Sequence, residues 1–428
     1  MLIHPASRFR GEPQLPGDKS ISHRYAILGA MATGTTRIEG YSDSDDCQAT
    51  LDCLQALGVG VERHKNSVRI GSGGWKSFRS PNGPLEARNS GTAMRLLTGA
   101  LAGSPVEAVL MGDESLSQRP MGRILTPLGR MGARIDASEG GRPPLHIHGR
   151  ELQPIRYQPP VASAQVKSCL LLAGLTVDGE TSVVEPTPSR DHTERALPFF
   201  AARFRKQEGV STVWGGQPLQ GAQARIPGDF SAAVFFIVAA LAIPEAEIRI
   251  RNLGINPTRT GLLELLESAG AQMEYSQRQE SNGEPVCDLV LRHQPGVLES
   301  FPRELKGRWI PNLIDEIPAL AVLGTRLKHG LTVRDASELR HKECDRIRAV
   351  VENLGRLGVE AEEYDDGFHI PAGQAIQGGE VATFGDHRIA MAFAVGGLMA
   401  REPVRIDHPE CVAVSFPGFF EQLERLRV

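Results

Sequence analysis

The stretches GDKSISHRYAILGAMATG (17–34) and GDFSAAVFFIVAALAIP (228–244) follow one plan: a polar, Gly-containing turn opens a helix of small apolar residues. The plan recurs in RNSGTAMRLLTGALAG (88–103), SAQVKSCLLLAGLTVDG (163–179), DEIPALAVLGTRLKHG (315–330) and GDHRIAMAFAVGGLMA (385–400). With Ser20, Asn89, Gln165, Asp229, Asp315 and Asp386 as markers, the copies fall about seventy residues apart, the mark of an internal repeat.

A second element accompanies each copy, an amphipathic helix usually followed by Gly and a short β-type run. It reads ATLDCLQALGVGVE (49–62), ILTPLGRMGARID (124–136), HTERALPFFAARF (192–204), LLELLESAGAQME (262–274), RIRAVVENLGRLGVEAE (346–362) and FPGFFEQLERLRV (416–428). The third copy lacks the closing Gly, and the sixth lacks the strand because the chain ends. Short strand-like segments such as TTRIEG, TSVVEP, EIRIRNL and LTVRDA lie between the helices. Each unit therefore reads as strand–helix–strand–helix–strand.

Three copies precede residue 220 and three follow, and the halves open alike, LPGDKS at 15–20 and IPGDFS at 226–231. The predicted fold is α/β, two similar domains of three βαβαβ-type units each. Residues 16–226 make the first, and 1–15 with 227–428 the second, the N-terminal strand joining the latter. A solenoid is the other arrangement open to a repeat, but two helices per long unit favour compact domains.

Composition narrows the function. The chain has 428 residues, with 47 basic against 51 acidic side chains and a net charge of −4, which excludes nucleic-acid binding by bulk electrostatics. Six cysteines are scattered without a CxxC pair and read as reduced cytosolic thiols, not as a disulfide framework or zinc site. Met1 to Arg10 has no apolar core of a signal peptide. The longest apolar run, Ala232 to Ile243, is too short to span a bilayer. The expectation is a soluble cytoplasmic protein.

The polar residues of the apolar helices cluster at their starts: Lys19, Ser20 and Arg24; Asn89, Gly91 and Arg95; Ser163 and Gln165; Asp315; Asp386, His387 and Arg388. Helix N-termini present unpaired N–H groups and a partial positive charge, so they suit phosphates and carboxylates. Ordinary capping by Ser, Asn and Asp is the alternative for any one helix. Cations at three starts make anion binding the better account. Further cations occur at Arg119 and Arg123 in SQRPMGR, Lys167 in QVKS and Arg190 in PSRDHTE, where solvated turns are the competing reading.

In ELRHKECDRIRAVVENLGRLGVE (338–360), Ile347, Val350, Val351, Leu354 and Leu357 form a helical apolar stripe. Projected back one turn, the stripe places Glu343 on the buried side, flanked by Lys342 and Arg346. An inward carboxylate among cations suits acid–base chemistry on an anionic substrate; a surface Glu–Arg pair is the bland alternative. Asp315 or Glu316 is expected to cap the helix that follows. LPGDKS does not satisfy the P-loop spacing, and the HIH of His146 and His148 has no partner cluster for a metal.

PGDKSISHR (16–24), NSGTAMR (89–95), QRP (118–120), SAQVKS (163–168), PSRDHTE (188–194), DEIP (315–318), LRHKECDR (339–346), GDHRIAMA (385–392) and SFPGFF (415–420) resemble, in order and over essentially the whole chain, the motifs of the 5-enolpyruvylshikimate-3-phosphate synthase family of enolpyruvyl transferases. The resemblance implies two inverse α/β domains with the active site in the cleft between them. It implies transfer of the enolpyruvyl group of phosphoenolpyruvate to the 5-hydroxyl of shikimate 3-phosphate, in aromatic amino acid biosynthesis, by addition–elimination and with release of phosphate. No metal and no organic cofactor take part. The partners implied are those two small molecules, with no nucleic acid or membrane, for a monomeric enzyme.

Carried over by motif, Lys19, Ser20, Arg24, Ser163, Ala164, Gln165, Arg190, Asp315 and Lys342 would hold shikimate 3-phosphate. Lys19, Gly91, Arg119, Gln165, Arg346 and Arg388 would hold phosphoenolpyruvate. Asp315 would take the 5-hydroxyl proton with Lys342 beside it, Glu343 would move protons at the methylene, and Lys19 would join them as a catalytic group. The chain departs from some members in having Val414 where they carry a Lys, Ser163–Ala164 where they have paired serines, and SRDHTE where they have a Tyr-containing motif. The related enzyme acting on a UDP-linked amino sugar carries a reactive Cys in its first half; the corresponding GDESLSQRPMGR (112–123) has none. A non-catalytic sensor of phosphorylated metabolites would explain the cations but not an inward Glu343 beside Asp315.

Overall fold

The six small-residue helices form as Lys19–Met31, Gly91–Ala102, Ala164–Gly174, Phe230–Ala242, Ile317–Gly324 and His387–Leu398. Five of the six start on a side-chain cap: Asp18, Ser90, Ser163, Asp229 and Asp386 each accept from a backbone N–H of the first turn. Nearly every residue of these helices is buried, because Ala, Gly and Leu on all sides leave no polar face to solvate. No helix is long and apolar enough to cross a membrane.

The computed structural model describes residues 1–428 and divides into two units. The first unit comprises Gly17–Pro227 with Glu280–Glu284, and the second Met1–Pro16, Gly228–Gln279 and Pro285–Val428. Each has its own apolar core around three of the helices.

In the first unit three four-stranded sheets repeat one topology. In the middle repeat Leu85–Glu86 runs parallel to Glu107–Met111, which pairs antiparallel with Arg142–His148, itself antiparallel to Arg134–Ser138. The third repeat matches it with Arg156–Tyr157, Glu180–Val184, Val210–Trp214 and Arg203–Gln207. Each unit of the repeat thus closes on a hairpin and not on a single strand, one strand more than the sequence suggested. The extra strand is the return arm of each hairpin, where the sequence reading took a single β-type run. The Gly91–Ala102 helix lies directly on Ala164–Gly174: a Cβ at Gly99 would stand 2.3 Å from the Cys169 carbonyl oxygen, so only Gly permits the approach.

The first repeat borrows its opening strand. Gln223–Arg225, from the end of the third repeat, runs parallel to Thr33–Glu39. In the second unit Arg10–Gly11 fills the same place beside Glu247–Gly254. The last sheet has Gly379–Val381 parallel to Val404–Ile406, with Leu2–Ile3 antiparallel on the far side. The N-terminus therefore supplies the strand that the sixth copy lacks. Strands Met273–Ser281 and Glu284–Arg292 meet at Asn282–Gly283, both at positive φ, as a two-residue hairpin turn demands.

Candidate active site

Within the first unit, three helix starts are stitched together by side chains. Arg95 on the Gly91–Ala102 helix donates to Gln165 Oε1 (2.7 Å), and Gln165 Nε2 donates back to Thr92 Oγ1 (3.0 Å). Arg24 on the Lys19–Met31 helix donates through Nη2 to Ser168 (2.9 Å) and through Nε to Thr193 (2.8 Å). Its Nη1 reaches the Ser20 carbonyl one turn back (2.8 Å), the i,i+4 spacing read from the sequence. Lys19 Nζ lies 2.8 Å from Asp46 Oδ2. Arg119 donates weakly to Asn89 and Ser115 (3.4 and 3.3 Å). A Cβ at Gly91 would meet Arg95 Nη1 at 2.7 Å and Arg119 Nη1 at 3.6 Å, so both guanidinium groups crowd the bare first turn of that helix.

Burial lowers the Arg24 pKa to about 10, and the positive charge of Arg190 pushes in the same direction, while Glu194, Asp18 and Glu284 oppose it. Two cations close enough to repel each other, beside helix starts, are an arrangement suited to an anion. Ser163 is a cap, its hydroxyl accepting from Val166 N–H at 3.4 Å, so the capping reading holds for its side chain. Lys167 turns inward instead of toward solvent and is fully buried between Glu185 and Glu194.

Within the second unit, one guanidinium gathers the acids. Arg346, 1 % exposed at its side chain, donates to Asp386 Oδ2 through Nε (2.7 Å) and to Glu343 Oε2 through Nη2 (2.6 Å). Its Nη1 makes no hydrogen bond and lies 3.5 Å from Asp315 Oδ1. Arg388 holds the same segment, donating to the Asp315 carbonyl at 3.0 Å, with Nε 3.8 Å from its carboxylate. Burial alone would lower the Arg346 pKa, but the charges of Asp386, Glu343 and Asp315 outweigh it and raise it. The Cys344 thiol, near Asp386 Oδ2 at 3.6 Å, is pushed up first by burial and then by the Asp386 charge, so it stays neutral.

Three details differ from the sequence reading. Glu343 is not helical: the helix runs Arg346–Arg356, started by Asp345, whose carboxylate accepts from Arg348 N–H. Glu343 faces inward through its ion pair with Arg346, not through helical phase. Neither Asp315 nor Glu316 caps by its side chain: Glu316 occupies the cap position of Ile317–Gly324 without a cap bond, and instead accepts from the buried Ser231 hydroxyl. Lys342 pairs with Glu338 (3.2 Å), not with Asp315. Sequence reasoning also passed over Asp46, whose signal was the acidic run DSDD at a helix start, and gave Asp386 no role beyond a helix start.

The family model described as EPSP synthase (3-phosphoshikimate 1-carboxyvinyltransferase) matches residues 3–423. A 3-phosphoshikimate 1-carboxyvinyltransferase of Solibacter usitatus is 47% identical over 427 residues, covering 99% of each chain. That of Shouchella clausii is 44% identical over 428 residues, covering 100% of this chain and 99% of its own. Among solved structures, EPSP synthase from Acinetobacter baumannii superposes with a TM-score of 0.85 at 40% identity, covering 100% of this chain and 98% of the other. The enolpyruvyl transferase NikO from Streptomyces tendae shares the fold, with a TM-score of 0.80 at 18% identity over 99% of this chain and 96% of its own.

Proposed function

The chain belongs to the EPSP synthase (3-phosphoshikimate 1-carboxyvinyltransferase) family, and from that premise we propose how its residues divide the work. The reaction is transfer of the enolpyruvyl group of phosphoenolpyruvate to shikimate 3-phosphate, a step of aromatic amino acid biosynthesis.

The cluster of the first unit receives shikimate 3-phosphate. Arg24, Arg190 and the start of the Ala164–Gly174 helix, with Ser163, Ala164 and Gln165, face its phosphate and ring, and Lys19 and Ser20 complete the seat. Arg119, the bare turn at Gly91, Arg346 and Arg388 bind phosphoenolpyruvate. Asp315 accepts the 5-hydroxyl proton as the oxygen bonds to the second carbon of phosphoenolpyruvate. Glu343 delivers a proton to the methylene, giving a methyl group. In the second half of the reaction the phosphate leaves with the proton that Asp315 had taken up, and a methyl proton returns to Glu343 to restore the double bond. Lys342 lies on the segment of Glu343 and contributes positive charge to the acceptor. The chemistry needs only these acids and cations, without metal or organic cofactor, in a monomeric cytoplasmic enzyme.

The observation that supports this division best is the sharing of Arg346 between Glu343 and Asp315, which sets two proton carriers beside one buried cation. The test is phosphate release from purified protein given shikimate 3-phosphate and phosphoenolpyruvate, with each omitted in turn and a UDP-linked amino sugar as competing acceptor. Release that needs both, with the enolpyruvyl ether found by mass, is expected. Release with the amino sugar, or none despite binding of either anion, sinks the reading.

A further inference from the structure

Several segments of the first unit meet on one buried ammonium. Lys167 lies two residues beyond Gln165 on the Ala164–Gly174 helix, and its side chain is 0 % exposed. Its Nζ is 2.5 Å from Glu185 Oε2 and 2.8 Å from Glu194 Oε1, and it reaches the Ser189 carbonyl at 3.5 Å. Glu185 also accepts from the Ser189 hydroxyl, so the chain from 185 to 189 closes on itself around the lysine. Glu194 is held further by Ser211 Oγ (3.3 Å) and Lys206 Nζ (3.4 Å).

The neighbours of these residues carry Arg24. Ser168 follows Lys167 and Thr193 precedes Glu194; their hydroxyls are 2.7 Å apart, and each accepts one arm of the Arg24 guanidinium. Between Glu185 and Glu194 runs the loop with Arg190. One cation thus fixes, through two carboxylates, the helix start at Ser163–Gln165, the Arg190 loop and the seat of Arg24. Burying a lysine between two acids is unfavourable unless the geometry is fully satisfied, and apolar packing would serve stability as well.

We propose that Lys167 is a positioning residue for binding shikimate 3-phosphate, setting Arg190 and Arg24 against the start of its own helix by way of Glu185 and Glu194. The proposal rests on the assignment of these groups to that substrate given above.

The test uses the full chain with Glu185→Gln, the paired replacement Lys167→Met with Glu185→Gln, and Lys167→Arg. A core variant, Leu110→Ala, sets the effect of lost stability alone. Wild-type turnover and shikimate 3-phosphate binding are measured first, and their absence would refute the assignment of the reaction, not the role of Lys167. With the wild type active, the first two variants are expected to melt cooperatively and to raise KM for shikimate 3-phosphate tenfold or more. KM for phosphoenolpyruvate should stay within about twofold and kcat at saturation should be largely kept. Lys167→Arg should recover most of the loss. A shikimate 3-phosphate KM within twofold of wild type overturns the proposal. So does a parallel loss of both KM values and kcat that Leu110→Ala reproduces, and so does failure of every Lys167 and Glu185 variant to fold.

Discussion

Glu343 Oε2 lies 2.6 Å from Arg346 Nη2, and the guanidinium that holds it is almost wholly withdrawn from water. The ion pair fixes the orientation of the carboxyl group that gives a proton to the methylene and later takes one back. Glu343→Gln keeps the shape and the hydrogen bond but cannot carry a proton. Turnover should fall by about two to four orders of magnitude, while equilibrium binding of both substrates changes little. Phosphate-release kinetics beside calorimetric titrations will show it; unchanged turnover would mean that the proton travels by another group.

Arg346 should be far less forgiving. Asp386 has no exposed surface, and removing its cation leaves a buried charge uncompensated. Arg346→Met is expected to lose about 3–5 kcal/mol of stability, read from urea melts. Arg346→Lys keeps the charge but not the fork that reaches three carboxylates. It should fold, and bind phosphoenolpyruvate more weakly.

Gly91→Ala separates binding from stability. Alanine is conformationally less costly than glycine in a helix, which offsets in part the contact that its methyl disturbs, so the variant should still fold and melt cooperatively. The new methyl would sit 2.7 Å from Arg95 Nη1 and must push it from Gln165. KM for phosphoenolpyruvate should rise about tenfold, equivalent to about 1.4 kcal/mol. A variant with wild-type KM would remove Gly91 from the site.

His23 supplies a pH dependence of stability. Its Nδ1 meets Thr50 Oγ1 at 2.7 Å, and burial, then the charges of Lys19 and Arg24, hold its pKa well below the ordinary 6.5. Below that value the unfolded chain binds a proton that the folded chain refuses, so unfolding is favoured as pH falls. The contribution is fully present above 6.5 and is lost on acidification toward the folded pKa, with a slope of up to about 1.4 kcal/mol per pH unit. Urea melts from pH 7.5 to 5.5 should show this loss in the wild type and a shallower one in His23→Gln.

The repeated helices were legible because small apolar residues, capped by Asp or Ser, announce themselves without tertiary help. Strands were harder. Leu2–Ile3 and Gln223–Arg225 are two and three residues long, carry no period, and acquire their meaning only from partners more than 180 positions away. The turn Asn282–Gly283 marks a hairpin, yet nothing local says that its tip is counted with residues 17–227. There Tyr25, Arg195 and Arg225 bond to its backbone and to Asn282, and His192 meets Glu284.

At the candidate site, residue types were readable while their pairings were not. Lys167 looks like any exposed cation until Glu185 and Glu194 are folded over it. Glu343 was expected inward for a helical reason and is inward for an electrostatic one. Lys342 was expected by Asp315 and pairs with Glu338, four positions back, across the short helix Ser337–His341 that it follows.

The placement of the first eleven residues bears on how the chain is made. Leu2–Ile3 and Arg10–Gly11 leave the ribosome well before their sheet partners at 404–406 and 247–254, which come hundreds of residues later. At about 5–20 residues per second, the leading segment waits on the order of ten to fifty seconds for the earlier of these partners. During that time the 17–227 stretch gains everything it needs except the tip at 280–284, its borrowed strand Gln223–Arg225 arriving last. Vectorial synthesis therefore orders the two halves in time, the 228–428 stretch completing its sheets on strands made long before it.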